Sequence, residues 1–149
     1  MLILASKLLN TPIMGLQTGS QLALTGNAII NPENLQILAY QLKANSFSNE
    51  EMLIRIADIR ELSRIGFIID SGEDFILPTD VIKIKEIIDL DFDILNLKVE
   101  DEKGSKIGKI IDYTLSLADF SVQQLIVKRP FLKSLNDPAL TIHRSQIVA

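Results

Sequence analysis

The residues able to carry chemistry fall in three places. His143 is the only histidine of the chain, and Ser145 follows two positions later. On a strand, residues two apart share a face, so imidazole and hydroxyl would lie side by side. A nucleophilic pair also needs a group that orients the base and donors for an oxyanion. The sequence identifies neither, and His143 reads as an ordinary strand or edge residue. Asp89, Asp91 and Asp93 alternate. Extended, they would place three carboxylates on one face, a hard-oxygen set suited to Mg²⁺ or Ca²⁺. The glycine and later glutamate of a calcium loop are missing, however. With Glu100-Asp101-Glu102 close behind, the run reads as a solvated linker and turn. Lys128, Arg129, Lys133 and Arg144 form a basic cluster beside Pro130-Phe131, interrupted only by the acid Asp137. Such a patch suits RNA phosphates or an acidic protein surface. Its plainer reading is an exposed loop.

Other chemistries are excluded or unsupported. The chain has no cysteine, so disulfides, thiolate catalysis and cysteine-based zinc sites are ruled out. Its seven glycines form no phosphate-binding loop. The expectation is a non-enzymatic protein with no catalytic, cofactor or metal site.

The frame behind these residues is β-rich. Apolar residues make up 47% of the 149 and charged residues 23%, the balance of a packed globule. A net charge of −4 lowers the expectation of general nucleic-acid binding. Apolar and polar residues alternate in Ile54-Arg55-Ile56, Ile82-Lys83-Ile84-Lys85 and Leu95-Asn96-Leu97-Lys98-Val99, the period of strands with one buried face. Turn signals recur at Thr18-Gly19-Ser20, Asn31-Pro32-Glu33-Asn34, Asp70-Ser71-Gly72 and Asn136-Asp137-Pro138. Short helical turns are expected at Asn49-Glu50-Glu51-Met52 and over 57–63. Residues 1–49 carry only Lys7, Lys43 and Glu33 as charges, so part of their surface is a candidate for burial against a partner. No run reaches the roughly 18 apolar residues that span a bilayer, and Met1–Lys7 lacks a basic leader region. The expected location is cytoplasmic, without membrane insertion.

The chain also resembles itself. Gly19-Ser20-Gln21-Leu22-Ala23 matches Gly104-Ser105-Lys106-Ile107-Gly108, 85 positions on, and Asn27 then falls on Asp112. Leu35–Ala39 runs beside Val122–Ile126, two residues out of step. Leu77–Ile82 sits against Ile142–Ile147, now 65 apart. Read this way, the second copy is about 20 residues shorter, lacking the counterpart of Phe47 through Gly66. The modules would be 1–88 and 89–149, with the shorter one marginal alone.

Gly104, Ile107, Gly108, Lys109, Ile110 and Asp112 together resemble the core pattern of the PRC-barrel family, known from the photosynthetic reaction centre H subunit and the ribosome maturation factor. Gly19 begins a weaker match in the first copy. The resemblance implies a mainly β chain of two tandem small barrels with one or two short helical turns. Gly19, Gly104, Gly108 and Asp112 would be its structural motif. It further implies a docking or assembly role toward a protein partner, a second copy of the chain included. Its alternative is an RNA-processing or ribosome-maturation accessory factor. Lys128, Arg129, Lys133 and Arg144 are the candidate partner-binding residues.

Overall fold

The computed structural model describes residues 1–45, 50–130 and 139–148. Phe47, Asn49, Phe131, Lys133 and the Asn136-Asp137-Pro138 turn therefore lie outside the described residues. The chain forms two compact units, Lys7–Phe92 and Met1–Ser6 with Asp93–Ala149.

The Lys7–Phe92 unit contains β2 (Pro12–Gly15), β3 (Ser20–Asn31), β4 (Gln36–Lys43), β5 (Leu53–Arg55), β6 (Glu61–Ser63), β7 (Gly66–Ile69) and the helix α1 (Ile82–Asp89). The first strand of the chain, β1 (Leu2–Leu4), belongs to the other unit. The six strands form one sheet in the order β5-β4-β3-β2-β7-β6. The strands are antiparallel except for the β2–β7 pair. Ile13, Ile37, Tyr40, Leu53, Ile54, Phe67 and Ile69 are fully buried and make the core. Ile84 and Ile87 of α1 pack with Ile29, Ala39 and Leu53. Thr25 is a buried polar residue whose hydroxyl donates to the Leu8 carbonyl and accepts from the Thr11 amide, so its burial leaves no unmet group.

The other unit has β8 (Lys98–Glu100), β9 (Lys106–Ser116), β10 (Val122–Lys128) and β11 (Ala139–His143) together with β1. The long β9 takes β10 on one side. On the other it takes β8 near its start and β1 near its end. Leu115, Val122 and Val127 are fully buried, with Ile110, Tyr113 and Leu125 close behind.

The strand pairings repeat between the units with a constancy that the sequence only hinted at. On β3–β4 the partners are Leu24↔Lys43, Thr25↔Leu42, Ala28↔Tyr40, Ile29↔Ala39 and Ile30↔Ile37. Adding 85 to each number gives Lys109↔Lys128, Ile110↔Val127, Tyr113↔Leu125, Thr114↔Gln124 and Leu115↔Val122, all present on β9–β10. On β2–β3 a register shift falls between Ile13 and Met14. On β8–β9 it falls at the matching place, between Val99 and Glu100. Ahead of these pairs, Asn10 and Asn96 both take positive φ, a conformation asparagine tolerates well. Further on, Gln41↔Leu53 on β4–β5 matches Ile126↔Thr141 on β10–β11. A 3-10 turn follows β5 in one unit, Ile56–Asp58, and β11 in the other, Arg144–Gln146.

Several expectations are corrected. Neither sheet closes on itself: β5 and β6 end one, and β11 is an edge of the other. Among the described residues the architecture is mainly β, with one α-helix and two open sheets. It is not a pair of PRC-type barrels, and the family resemblance falls with it. The counterpart of Ile142–Ile147 is Ile54–Ile59, not Leu77–Ile82, as the shared strand pairing shows. The larger unit is therefore longer after the repeated part, where it adds β6, β7 and α1. Ile37 pairs in step with the place of Val122, so the expected slip is absent. Ile82-Lys83-Ile84-Lys85 is helical, because Ile84, Ile87 and Ile88 complete a three-and-four spacing that outweighs four alternating residues. The stretch expected to be helical over 57–63 contains a 3-10 turn and then strand β6.

Candidate functional site

His143 ends β11 and caps the following 3-10 turn. Its Nδ1 accepts the Ser145 amide at 3.1 Å and lies 2.9 Å from Ser145 Oγ. Its own amide donates to Gln146 Oε1 at 3.0 Å. The pair is adjacent, as its spacing suggested, but Nδ1 is committed to a backbone donor. The local geometry is that of a turn cap.

None of the three aspartates lies on a strand. Asp89 ends α1 and takes the Lys85 ammonium at 2.8 Å, an i,i+4 helix pair. Asp91 has positive φ, and Asp93 accepts the amide of Leu95 at 3.0 Å in a local turn. Among the described residues, no three acidic or histidine side chains converge on a point where a metal would sit. Near α1, a shallow groove of about 390 Å³ is lined by Asn31, Glu33, Lys83, Glu86 and Leu90 among others. Its Lys83 ammonium lies 3.8 Å from Glu33, an exposed pairing of little energetic weight.

The residues named as the PRC motif keep structural roles. Gly104 turns the chain between β8 and β9 at φ +82°. At Gly108 a Cβ would stand 2.1 Å from the Lys128 carbonyl oxygen, so only glycine fits between β9 and β10. Gly19 is the turn counterpart of Gly104. Asp112 accepts the Ser6 hydroxyl at 2.6 Å and the Ser6 amide at 3.2 Å, fastening the segment after β1 to β9.

Of the basic cluster, Lys128, Arg129 and Arg144 lie among the described residues and Lys133 does not. Arg144 lies near Asp119, whose carboxyl is held below its ordinary range first by the Ser121 hydroxyl and amide and then in part by Arg144. Lys128 ends β10 and is exposed. There it faces Lys109, which in turn faces Lys98 on β8. Directly paired residues of an antiparallel sheet point to the same face, so three exposed lysines stand in a row across β8, β9 and β10. Like charges so placed repel and favour an anionic neighbour. Strand pairing, which the sequence left unassigned, brings Lys98 and Lys109 to Lys128. The signal that could have found them is the alternation around Lys98 and around Lys109, read as two paired strands.

The row ends at β11, where Ala139 is the partner of Lys128. The strand Ala139-Leu140-Thr141-Ile142-His143 alternates exposed and half-buried side chains. Within it there is no lysine, glutamate, proline or bulge, the usual means by which an edge strand is blunted. In the other unit the matching outer edge is covered. Leu53 and Ile76 exchange two backbone hydrogen bonds, Leu53 N–H to Ile76 C=O at 2.8 Å and Ile76 N–H to Leu53 C=O at 2.9 Å. Among the described residues nothing pairs with Thr141, the counterpart of Leu53, on that side. Among the described residues, an unpaired strand edge therefore lies beside a lysine row.

No helix among the described residues is long and apolar enough to cross a membrane. No protein-family model matches the chain, and no curated protein matches it significantly.

Proposed function

We propose that the chain is a non-enzymatic protein-interaction module that takes up a partner protein along the edge of β11. The observation that carries this reading is the outer side of Thr141, which pairs with nothing among the described residues, at a position whose counterpart, Leu53, is hydrogen-bonded to Ile76. An edge strand binds another chain by extending its sheet, with backbone groups giving affinity and alternate side chains giving selectivity.

The test is site-specific photo-cross-linking in the native cell. A benzophenone side chain replaces Thr141 in one variant and Glu73, on a surface turn far along the chain, in a second. The reading expects a partner protein attached through position 141 and not through position 73. Equal labelling from both positions, or none from position 141, would overturn it. A cross-link that ribonuclease removes and protease does not would put RNA binding in its place.

A further inference from the structure

We infer that the occupant of the β11 edge is an extended, antiparallel partner segment with an aliphatic residue opposite Thr141 and an acidic residue two positions later. This rests on the protein-interaction reading above and adds the chemistry of the partner.

The chain supplies the template. Leu53 and Thr141 face matched partners, Gln41 on β4 and Ile126 on β10. In an antiparallel ladder, backbone groups point alternately toward one neighbour and the other. Leu53 turns its N–H and C=O away from β4 and bonds Ile76. With the same register, Thr141 turns its own pair away from β10. What meets Leu53 is Phe75-Ile76-Leu77, uncharged and extended, with Phe75 buried. A like segment therefore fits β11, where Ala139 through Ile142 carry no charge of their own.

The lysine row fixes the second feature. Moving from Thr141 back to Ala139 moves an antiparallel occupant forward by two residues. That occupant residue lies in line with Ala139, Lys128, Lys109 and Lys98 on one face of the sheet. Ala139 has only a methyl group, which leaves room for the Lys128 side chain to extend across it. Strands are about 4.8 Å apart, and the gap of two strands is within reach of a lysine and a carboxylate extending toward each other. An aspartate or glutamate there answers the repulsion among the lysines. A lysine there would add a fourth like charge.

The experiment uses the full chain, labelled with ¹⁵N, and a capped synthetic peptide, Asp-Phe-Ile-Leu-Asp-Thr. The expected result is amide shifts and slowed hydrogen exchange centred on Thr141. Lysine in place of the second aspartate weakens binding by about tenfold, and Lys128→Glu restores binding of the lysine peptide. Thr141→Pro removes the outward N–H without touching the β10 ladder, since an edge strand accepts proline there. It should keep the native spectrum elsewhere and lose the response. N-methylation of the peptide isoleucine should do the same from the other side. No shift at residues 139–143, shifts confined to Leu53–Arg55, or equal binding by both peptides would overturn the inference. So would a dimer of the free chain that protects the Thr141 amide and that Thr141→Pro dissolves. If position 141 still cross-links a partner protein while the peptides fail, the interaction reading stands and the aliphatic-and-acidic partner segment is wrong.

Discussion

Leu35 and Phe120 occupy the same point of two hairpins, 85 residues apart, and both hold the left-handed conformation at φ 56° and 55°. Leu35 donates its amide to the Asn31 carbonyl at 2.8 Å, and Phe120 donates to Ser116 at 2.7 Å. Left-handed backbone costs a residue with a side chain about 1–2 kcal/mol. What offsets that cost differs between the two. Phe120 is 8% exposed, whereas Leu35 is only half-buried. Leu35→Gly should therefore leave stability unchanged or raise it by up to about 1 kcal/mol. Phe120→Gly should cost about 3 kcal/mol or more, because it empties a core position. Chemical denaturation of the two variants checks the opposite signs.

The two glycines around β9 should also separate. Gly104→Ala meets open space and bears only the backbone cost of φ +82°, about 1–2 kcal/mol. Gly108→Ala drives a methyl group into the Lys128 carbonyl and forces β9 from β10. It should cost at least twice as much, or leave the chain unfolded. Thermal melts of both variants give the comparison.

Alkaline stability should hinge on Tyr113. Its phenol is held well above the ordinary tyrosine range, first by burial and then by the nearby carboxylates of Asp112 and Asp93. In the unfolded chain it ionises near about pH 10. The native state therefore keeps a proton that the unfolded state releases. The stabilisation is complete below that pH and is lost as pH rises, at a limiting slope of ~1.4 kcal/mol per pH unit. Tyr113→Phe should flatten the fall between about pH 9 and about pH 11, measured by urea unfolding at each pH.

Ser6→Ala removes the hydroxyl that donates to Asp112 and leaves the amide contact. The expected loss is about 1 kcal/mol or less, since the pair is exposed. Asp112→Asn weakens both contacts and should cost more. Hydrogen exchange should show the effect first at Leu2–Leu4 and their partners Thr114, Leu115 and Ser116. Uniform loss across both units would count against this local fastening.

Part of the strand content was legible from alternating residue types, since Ile54-Arg55 lies in β5 and Lys98-Val99 in β8. The repeat was legible only at Gly19 and Gly104, where turn geometry constrains residue type. Elsewhere, matched positions carry unlike residues, such as Ala39 and Gln124, because register depends on burial face and not identity. The sequence could not show closure. A turn glycine and a strand glycine serve an open bulged sheet as well as a barrel, and Gly108 proves to be such a bulge-side position. Nor could it show the lysine row, since Lys98, Lys109 and Lys128 meet only through strand pairing.

The split of one unit between Met1–Ser6 and the residues after Phe92 sets an order of events during synthesis. The unit that lies between has all its strands once residue 92 has been made. The first six residues must wait for β9, more than a hundred positions later, before their backbone groups are paired. The entropy of closing so long a loop grows only as the logarithm of its length, and an already folded intervening body shortens the flexible part. Residues 1–6 are thus captured by a strand made more than a hundred residues after them. β11, whose outer edge pairs with nothing among the described residues, is made later still.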